Sequence, residues 1–100
     1  MEYRHRSRAV VATTRPDRYR RQLISHLGRR LKIWEDEVGH WFGFEEAHCC
    51  LTSQEDALVL TAAAARAEEL VRVQDVVGGH LERFGSKDSL TVTWLALDSA

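Results

Sequence analysis

The sequence predicts an α+β fold, a two-layer sandwich in which two helices pack on one mainly antiparallel sheet of about six strands. Two stretches carry apolar residues at helical spacing, which predicts two amphipathic helices. Four short apolar segments between them are separated by turns that allow hairpins and are too short for parallel crossovers. One further β-rich segment stands near each end, so we expect the order β-α-β-β-β-β-α-β in a single domain, residues 1–100.

The basic N-terminal part predicts the first strand and the first helix. Residues 7–13 are short and β-branched, which favours a strand. Pro16 suits the first turn of a helix because its missing N–H would have no partner there. The helix is predicted over residues 16–31, where one apolar stripe recurs at every fourth position. The stripe consists of Tyr19, Leu23, Leu27 and Leu31.

The middle of the chain changes from helical to strand patterning. Four short strands are predicted at 33–38, 41–44, 47–52 and 57–62, and the Gly-containing or acidic turns between them predict an antiparallel meander. Gly43 stands between two phenylalanines and indicates a bulge or a close approach of another group to the backbone.

The second helix is predicted over residues 64–84, followed by a strand at 90–95. Gly85 is expected to end the helix in a left-handed conformation. Gly78 and Gly79 lie inside it and each costs about 1 kcal/mol relative to alanine. Close packing of the helix on the sheet would explain them, and a kink is the alternative.

The charge of the chain is unevenly distributed. Fourteen basic and fifteen acidic residues give a net charge of −1. Residues 1–32 hold ten Lys/Arg and two acids (+8), and residues 33–100 hold four Lys/Arg and thirteen acids (−9). Nucleic acid is therefore a disfavoured partner, because the overall charge is wrong and the aromatic residues are not interleaved with the arginines. Internal ion pairs or contacts between copies explain the split, and we expect a homo-oligomer.

Several protein classes lack support in the sequence. No apolar run has the length of a signal peptide core or a membrane span, so we expect a cytoplasmic protein with no membrane partner. Cys49 and Cys50 are adjacent and are expected to stay reduced. No nucleophile elbow or Gly-rich phosphate loop occurs, so we assign no catalytic residue and favour a binding role over an enzyme.

Several short segments carry a resemblance to a known family. Residues 9–13 and 15–19 with 22–23, 26–27 and 30 after them, then 58–60, then 73–77 with 80–84, and finally 90–94 resemble the bacterial domain-of-unknown-function family 2218. The order and spacing of these short motifs span nearly the whole chain. The resemblance implies a small bacterial protein, and some members stand fused or adjacent to siderophore-interacting flavoproteins. It therefore implies a link to iron and a flavoprotein as a partner, without a known reaction.

Four residues form the candidate ligand pocket: His26, His80, His48 and Trp41. We hypothesise that the histidines converge between the helices and the sheet and bind iron, haem or a ferric siderophore. No pair has the spacing of a metal site, so no metal ligand is assigned. The alternative for His26 and His80 is a boundary position with ordinary hydrogen bonds. The alternative function is an interaction domain that has no small ligand and docks a flavoprotein or its own copy.

Overall fold

The structure, a computed structural model, describes residues 3–97 and has the predicted α+β architecture. The elements follow one another in the predicted order, with one short 3-10 turn added. They are β1 (His5–Ala12), α1 (Pro16–Leu27), β2 (Lys32–Glu35), β3 (His40–Phe44), β4 (Ala47–Gln54), β5 (Ala57–Ala64), α2 (Ala67–Phe84), the 3-10 turn (Ser86–Asp88) and β6 (Leu95–Leu97). No helix within residues 3–97 is both long enough and apolar enough to cross a membrane.

All six strands form one sheet in the order β2-β3-β4-β5-β1-β6, and every neighbouring pair is antiparallel. The predicted meander from β2 to β5 is therefore confirmed. β1 lies between β5 and β6, so α1 carries the chain from β1 to the far edge of the sheet and α2 carries it over β1 to the other edge. Both helices are crossover connections.

The core lies between the two helices and the inner face of the sheet. The stripe of α1 is buried at Tyr19, Leu23 and Leu27, and that of α2 at Val73, Val77 and Leu81. Alternation along the strands sends every second side chain into this layer. The largest fully buried side chains are Phe42, Leu23, Leu51, Leu58, Leu60 and Leu81.

Two helix boundaries differ from the prediction. α1 ends at Leu27 and not at Leu31, because the chain turns from Gly28 onward while the Leu31 N–H still donates to the Leu27 carbonyl at 2.9 Å. α2 begins at Ala67, because the predicted first residue, Ala64, instead completes β5 and pairs with strands on both sides. In both cases the apolar pattern of the sequence extends past the end of the helix, into residues that belong to a turn or to a strand.

The predicted strand at 90–95 is also displaced. The segment 90–94 runs along α2, where the Val92 N–H donates to the Glu82 carboxylate at 3.0 Å, and pairing with β1 begins only at Leu95. Val92 and Trp94 still pack against the core, as the alternation predicts. A hydrogen bond to a helix side chain has replaced the expected strand ladder at this point.

Gly78 allows this close approach to α2. A Cβ there would lie 3.0 Å from Trp94 Nε1 and 3.2 Å from Val92 Cγ1, whereas a Cβ at Gly79 would meet nothing within 4 Å. Gly78 is therefore explained by close packing against the 92–94 segment, not against the sheet as predicted, and Gly79 is not explained by packing. The expected left-handed stop at Gly85 is wrong, since its φ is −95°. A Cβ on Gly85 would instead collide with the side chain of Leu90.

The two adjacent cysteines point to opposite faces of the sheet, as neighbours on a strand do. Cys49 lies in the core under the helices, and Cys50 faces the other side. Both thiols are free and buried. Burial raises the pKa of each thiol, so neither has the thiolate character of a reactive cysteine.

Candidate functional site

The four residues predicted to line one pocket lie in two pairs on opposite sides of the sheet. The ring centroids of His26 and His80 are 5.0 Å apart between α1 and α2. Those of Trp41 and His48 are 4.9 Å apart on the face that points away from the helices. The structure thus brings the helical histidines together and does not bring the strand residues to them.

Helical periodicity places the two histidines. His26 directly precedes the buried Leu27 on α1, and His80 directly precedes the buried Leu81 on α2, so each ring stands at the border of an apolar stripe. Phe84 lies beside both rings, at centroid distances of 5.3 Å from His26 and 6.0 Å from His80. Where the two helices lie side by side, these borders face each other.

The ring of His80 is held in a defined tautomer. Its Nδ1 lies 2.6 Å from the carbonyl oxygen of Val76, one turn earlier in α2. A carbonyl can only accept, so Nδ1 carries the proton and donates it. The Nε2, on the other side of the ring, is the nitrogen that can accept a hydrogen bond or ligate a metal.

A cleft of about 540 Å³ opens beside the histidines, and we call it the helix-side cleft. The two helices, the turn after α1 and the end of β3 all contribute to it. Its lining residues are His26, Leu27, Arg29, Arg30, Leu31, Phe44, Arg72, Val76 and His80. Leucine, valine and phenylalanine side chains supply the apolar part of this wall.

Three guanidinium groups make the helix-side cleft strongly basic. Arg29 and Arg30 come from the turn that follows α1, and Arg72 comes from α2 across the cleft. No aspartate or glutamate is among the residues of 3–97 that line it. Arginine stays protonated at all physiological pH values, so the cleft is a site of positive potential.

The sequence prediction included the histidines of the cleft but not its arginines. Arg72, Val76 and His80 recur at every fourth residue of α2, which places them in one row on one side of the helix. Arg29 and Arg30 follow His26 by three and four residues. The spacing of the arginines from each histidine could have indicated them. The cleft itself could not be predicted, because it forms only where the two helices face each other.

The donor set of the cleft does not suit a bare metal cation. Within residues 3–97, no group of three or more His, Cys, Asp and Glu side chains comes together in a way that holds a metal ion. Imidazole is a good iron ligand, but three neighbouring guanidinium groups repel a free cation. The same residues suit an iron complex whose own ligands make it an anion.

The opposite surface, the outer sheet face, consists of strand side chains that point away from the helices, including Lys32, Trp34, Trp41, His48, Thr61, Ala63, Arg6 and Arg8. The rings of Trp34 and Trp41 are stacked, 5.9 Å apart and tilted by only 2°. Trp34 lies over Gly43, whose Cβ would come within 3.0 Å of its ring, so the glycine marks a close approach and not a bulge. Burial lowers the pKa of His48 and keeps its ring neutral at neutral pH.

The basic N-terminal third is not neutralised by the acidic remainder of the chain. Within residues 3–97, no ion pair joins a Lys or Arg of residues 1–32 to a carboxylate of residues 33–97. Arg20 bonds Asp17 at 3.2 Å, and it also donates to Ser53 and His40. Five of the ten basic residues of this third lie on the two surfaces described here, Arg29 and Arg30 on the helix-side cleft and Arg6, Arg8 and Lys32 on the outer sheet face.

Comparison with known proteins gives a family and a fold. A structure titled "NMR structure of PA4090 from Pseudomonas aeruginosa" is similar at a TM-score of 0.77 and 25% identity, covering 95% of this chain and 99% of that one. None of the curated proteins matches the chain. The family described as "Uncharacterized protein conserved in bacteria (DUF2218)" matches residues 8–95. The chain therefore belongs to this family of uncharacterised bacterial proteins.

Proposed function

We propose that this protein is a small binding domain whose helix-side cleft takes an anionic organic ligand with an apolar body. The observation that carries the proposal is the lining of the cleft, in which three arginines and two histidines surround apolar side chains without a carboxylate. A volume of about 540 Å³ lies in the range of ordinary ligand sites, about 300 to 1,000 Å³.

The arginines define the charge of the ligand. Like charges repel when they are brought together, and an anion between Arg29, Arg30 and Arg72 removes that repulsion. A guanidinium group also offers a planar fork of donors that matches carboxylate, phosphate or catecholate oxygens. Because the groups come from two sides of the cleft, one ligand can engage both.

The apolar lining and the histidines define the rest of the ligand. Leu31, Phe44 and Val76 offer surface to a ring or an alkyl body. The Nε2 of His80, opposite the proton fixed on Nδ1, is available as an acceptor or as a ligand to a metal that the bound molecule carries. A purely polar anion would leave this apolar surface unused.

The finer form of the proposal is that the ligand is an anionic iron complex. A ferric catecholate siderophore is negatively charged and aromatic, and haem joins an apolar ring to two carboxylates. Both fit the charge and lining of the cleft, whereas free ferric iron does not. The expected link of the family to siderophore-interacting flavoproteins makes these two complexes the first probes.

Titration of the protein with haemin, with metal-free protoporphyrin and with a ferric tris-catecholate tests the proposal. We expect saturable binding of at least one probe, followed by absorbance and by tryptophan fluorescence. Arg72→Ala should weaken it roughly tenfold, since a hydrogen bond to a charged group contributes about 1.5 kcal/mol or more. A preference for haemin over the metal-free porphyrin that disappears in a His26→Ala/His80→Ala variant would assign an iron ligand to the histidines.

Arg83→Ala is the matched control, because Arg83 is an exposed arginine of the same helix outside the cleft. It should bind every probe as the unchanged protein does. The proposal is overturned by the absence of saturable binding for all three probes. It is equally overturned if Arg83→Ala and Arg72→Ala weaken binding to the same extent.

An interaction domain without a small ligand is the second candidate function. The proposal includes a homo-oligomer and a flavoprotein partner in the cytoplasm, a location that the free thiols support. Val10 and Leu95, 62% and 67% exposed at one side of the sheet, give such contacts an apolar surface. Light scattering during size-exclusion chromatography should show a mass above 11.4 kDa, and a monomer at all concentrations would contradict the oligomer.

A further inference from the structure

The outer sheet face carries a row of rings that the helix-side cleft does not use. Trp34 stacks on Trp41, Trp41 meets His48 edge to face, and His48 lies 5.1 Å from the ring of Tyr3. The four rings, which we call the aromatic row, extend over three neighbouring strands and the segment before β1. Trp34, on the edge strand β2, is 40% exposed.

Basic side chains lie in register with the aromatic row. Across the sheet, His48 pairs with Ala63, which pairs with Arg6. Neighbouring strands are about 4.8 Å apart, so Arg6 begins about 10 Å from His48. In the neighbouring row, Trp41 pairs with Cys50, Cys50 pairs with Thr61, and Thr61 pairs with Arg8, so Arg8 lies on the same face as Trp41.

Two rows of paired residues cross the sheet here, one through His48 and Arg6 and the other through Trp41 and Arg8. Among residues 3–97, neither row contains a carboxylate. Lys32 adds a third basic group beside Trp34, opposite Gly43. One carboxylate touches the rings, that of Asp36, which accepts a hydrogen bond from Trp41 Nε1 at 2.9 Å. Asp36 lies in the turn beyond β2, at the opposite end of that strand from Lys32. The face therefore has a basic side and a single acidic corner.

We infer that the outer sheet face binds single-stranded nucleic acid, with bases stacked on the aromatic row and phosphates near Arg6, Arg8 and Lys32. Exposed bases stack on aromatic side chains whatever their sequence, and basic groups beside the rings hold the backbone. The residues between the rings and the arginines, Cys50, Thr61 and Ala63, are small, and Cys50 and Ala63 are buried beneath the larger side chains around them. An acidic protein partner would also match the charge, and competition with polyglutamate distinguishes it from a nucleic acid.

The net charge of the whole chain and the absence of interleaved rings and arginines along the sequence disfavour nucleic acid, but neither property describes this face. Strand pairing interleaves them in space, because β1 enters the sheet beside β5 and its arginines join the face that β3 and β4 supply with rings. Local charge governs contact with phosphates within a Debye length, about 8 Å at physiological salt.

Fluorescence anisotropy of a labelled single-stranded oligothymidylate and a matching oligouridylate tests the inference at low salt. We expect saturable binding of at least one of them by the full-length protein and weaker binding of a duplex, whose bases are already stacked. Trp34→Ala should weaken binding roughly tenfold, and Trp34→Phe, which keeps a ring on the edge strand, should restore most of it. Arg6→Ala/Arg8→Ala should weaken binding and lower the slope of log K against log salt by about 1.4, or about 0.7 per phosphate contact.

Arg18→Ala/Arg21→Ala is the matched control, since both are exposed arginines of α1 on the other side of the molecule and their loss changes the net charge equally. The control should bind as the unchanged protein does. Circular dichroism and the melting temperature establish that each variant is folded.

Four results would overturn the inference. They are no saturable binding of either oligonucleotide, equal loss in the α1 control, equal affinity for the duplex, and displacement of the oligonucleotide by polyglutamate with no dependence on Trp34. The last result would assign the face to acidic proteins. Because none of these variants touches the helix-side cleft, the outcome is independent of the anionic-ligand proposal.

Discussion

The helix-side cleft and the outer sheet face both combine basic groups with rings, but they differ in shape and in origin. In the cleft, arginines from two sides converge on a hollow of about 540 Å³ with an apolar lining. On the sheet, strand register spreads rings and basic groups over a surface several strands wide. A converging set suits one compact anion, and a spread set suits a chain of repeated charges.

The two surfaces account for part of the uneven distribution of charge along the sequence. The first 32 residues carry a charge of +8 and supply Arg29 and Arg30 to the cleft and Arg6 and Arg8 to the outer sheet face. Because no ion pair within residues 3–97 links this basic third to the acidic remainder, the split is not explained by internal neutralisation. Two basic surfaces on opposite sides of one sheet result from it.

The largest expected effect comes from serine substitutions at the two cysteines. They test the difference between the inner and the outer face of the sheet. Cys49→Ser places a hydroxyl in the core between sheet and helices and should lower the free energy of unfolding by about 2 kcal/mol. Cys50→Ser should cost less than about 1 kcal/mol, because the Thr52 hydroxyl, 3.9 Å from its sulfur, offers a hydrogen-bond partner. Urea denaturation followed by circular dichroism measures both, and equal costs would contradict the difference between the faces.

Gly79→Ala should stabilise the helix side of the molecule without touching either surface. Space is open around Gly79, so alanine should raise the free energy of unfolding by about 0.5 to 1 kcal/mol through helix propensity. Gly78→Ala is the paired variant and should stabilise less, since its Cβ meets Trp94 and Val92. Thermal denaturation ranks the two, and a larger gain at Gly78 would show that the 90–94 segment is not packed on α2.

The smallest effect expected is a pH dependence that belongs to the outer sheet face. Burial lowers the pKa of His48 below its ordinary value of 6.5, so the unfolded chain binds the proton more readily. The contribution of His48 to the free energy of unfolding is fully present above about pH 6.5 and is lost as the pH falls through the lowered pKa. Between about pH 7.5 and pH 5.5, the melting temperature of the His48→Phe variant should therefore fall less than that of the unchanged protein. An identical loss in both proteins would show that His48 is not desolvated.

Local patterns predicted the fold class and the order of elements because period and turn spacing are properties of short segments. The stripe of Tyr19, Leu23 and Leu27 is buried as the periodicity required. Boundaries failed where a neighbouring element competed for the same residues, as at Ala64, which is retained by two strand partners.

The candidate site was only partly predictable for a related reason. The helical periodicity predicted that His26 and His80 lie at the border of the buried face of each helix. Packing of the two helices against each other then brings the two rings together. Trp41 and His48 alternate with the buried Phe42 and Cys49, so they face away from the helices. Which strands lie side by side depends on long-range pairing, and this placed Arg6 and Arg8 on the same face as the rings.

The insertion of β1 between β5 and β6 has a consequence for how the molecule forms. Pairing of His5 with Ala64 closes a long stretch of chain, and such non-local contacts slow folding because the loop entropy is lost before the contact forms. Both helices are the crossovers of this arrangement, and the helix-side cleft lies between them. The ligand proposed for that cleft would stabilise the folded chain by mass action.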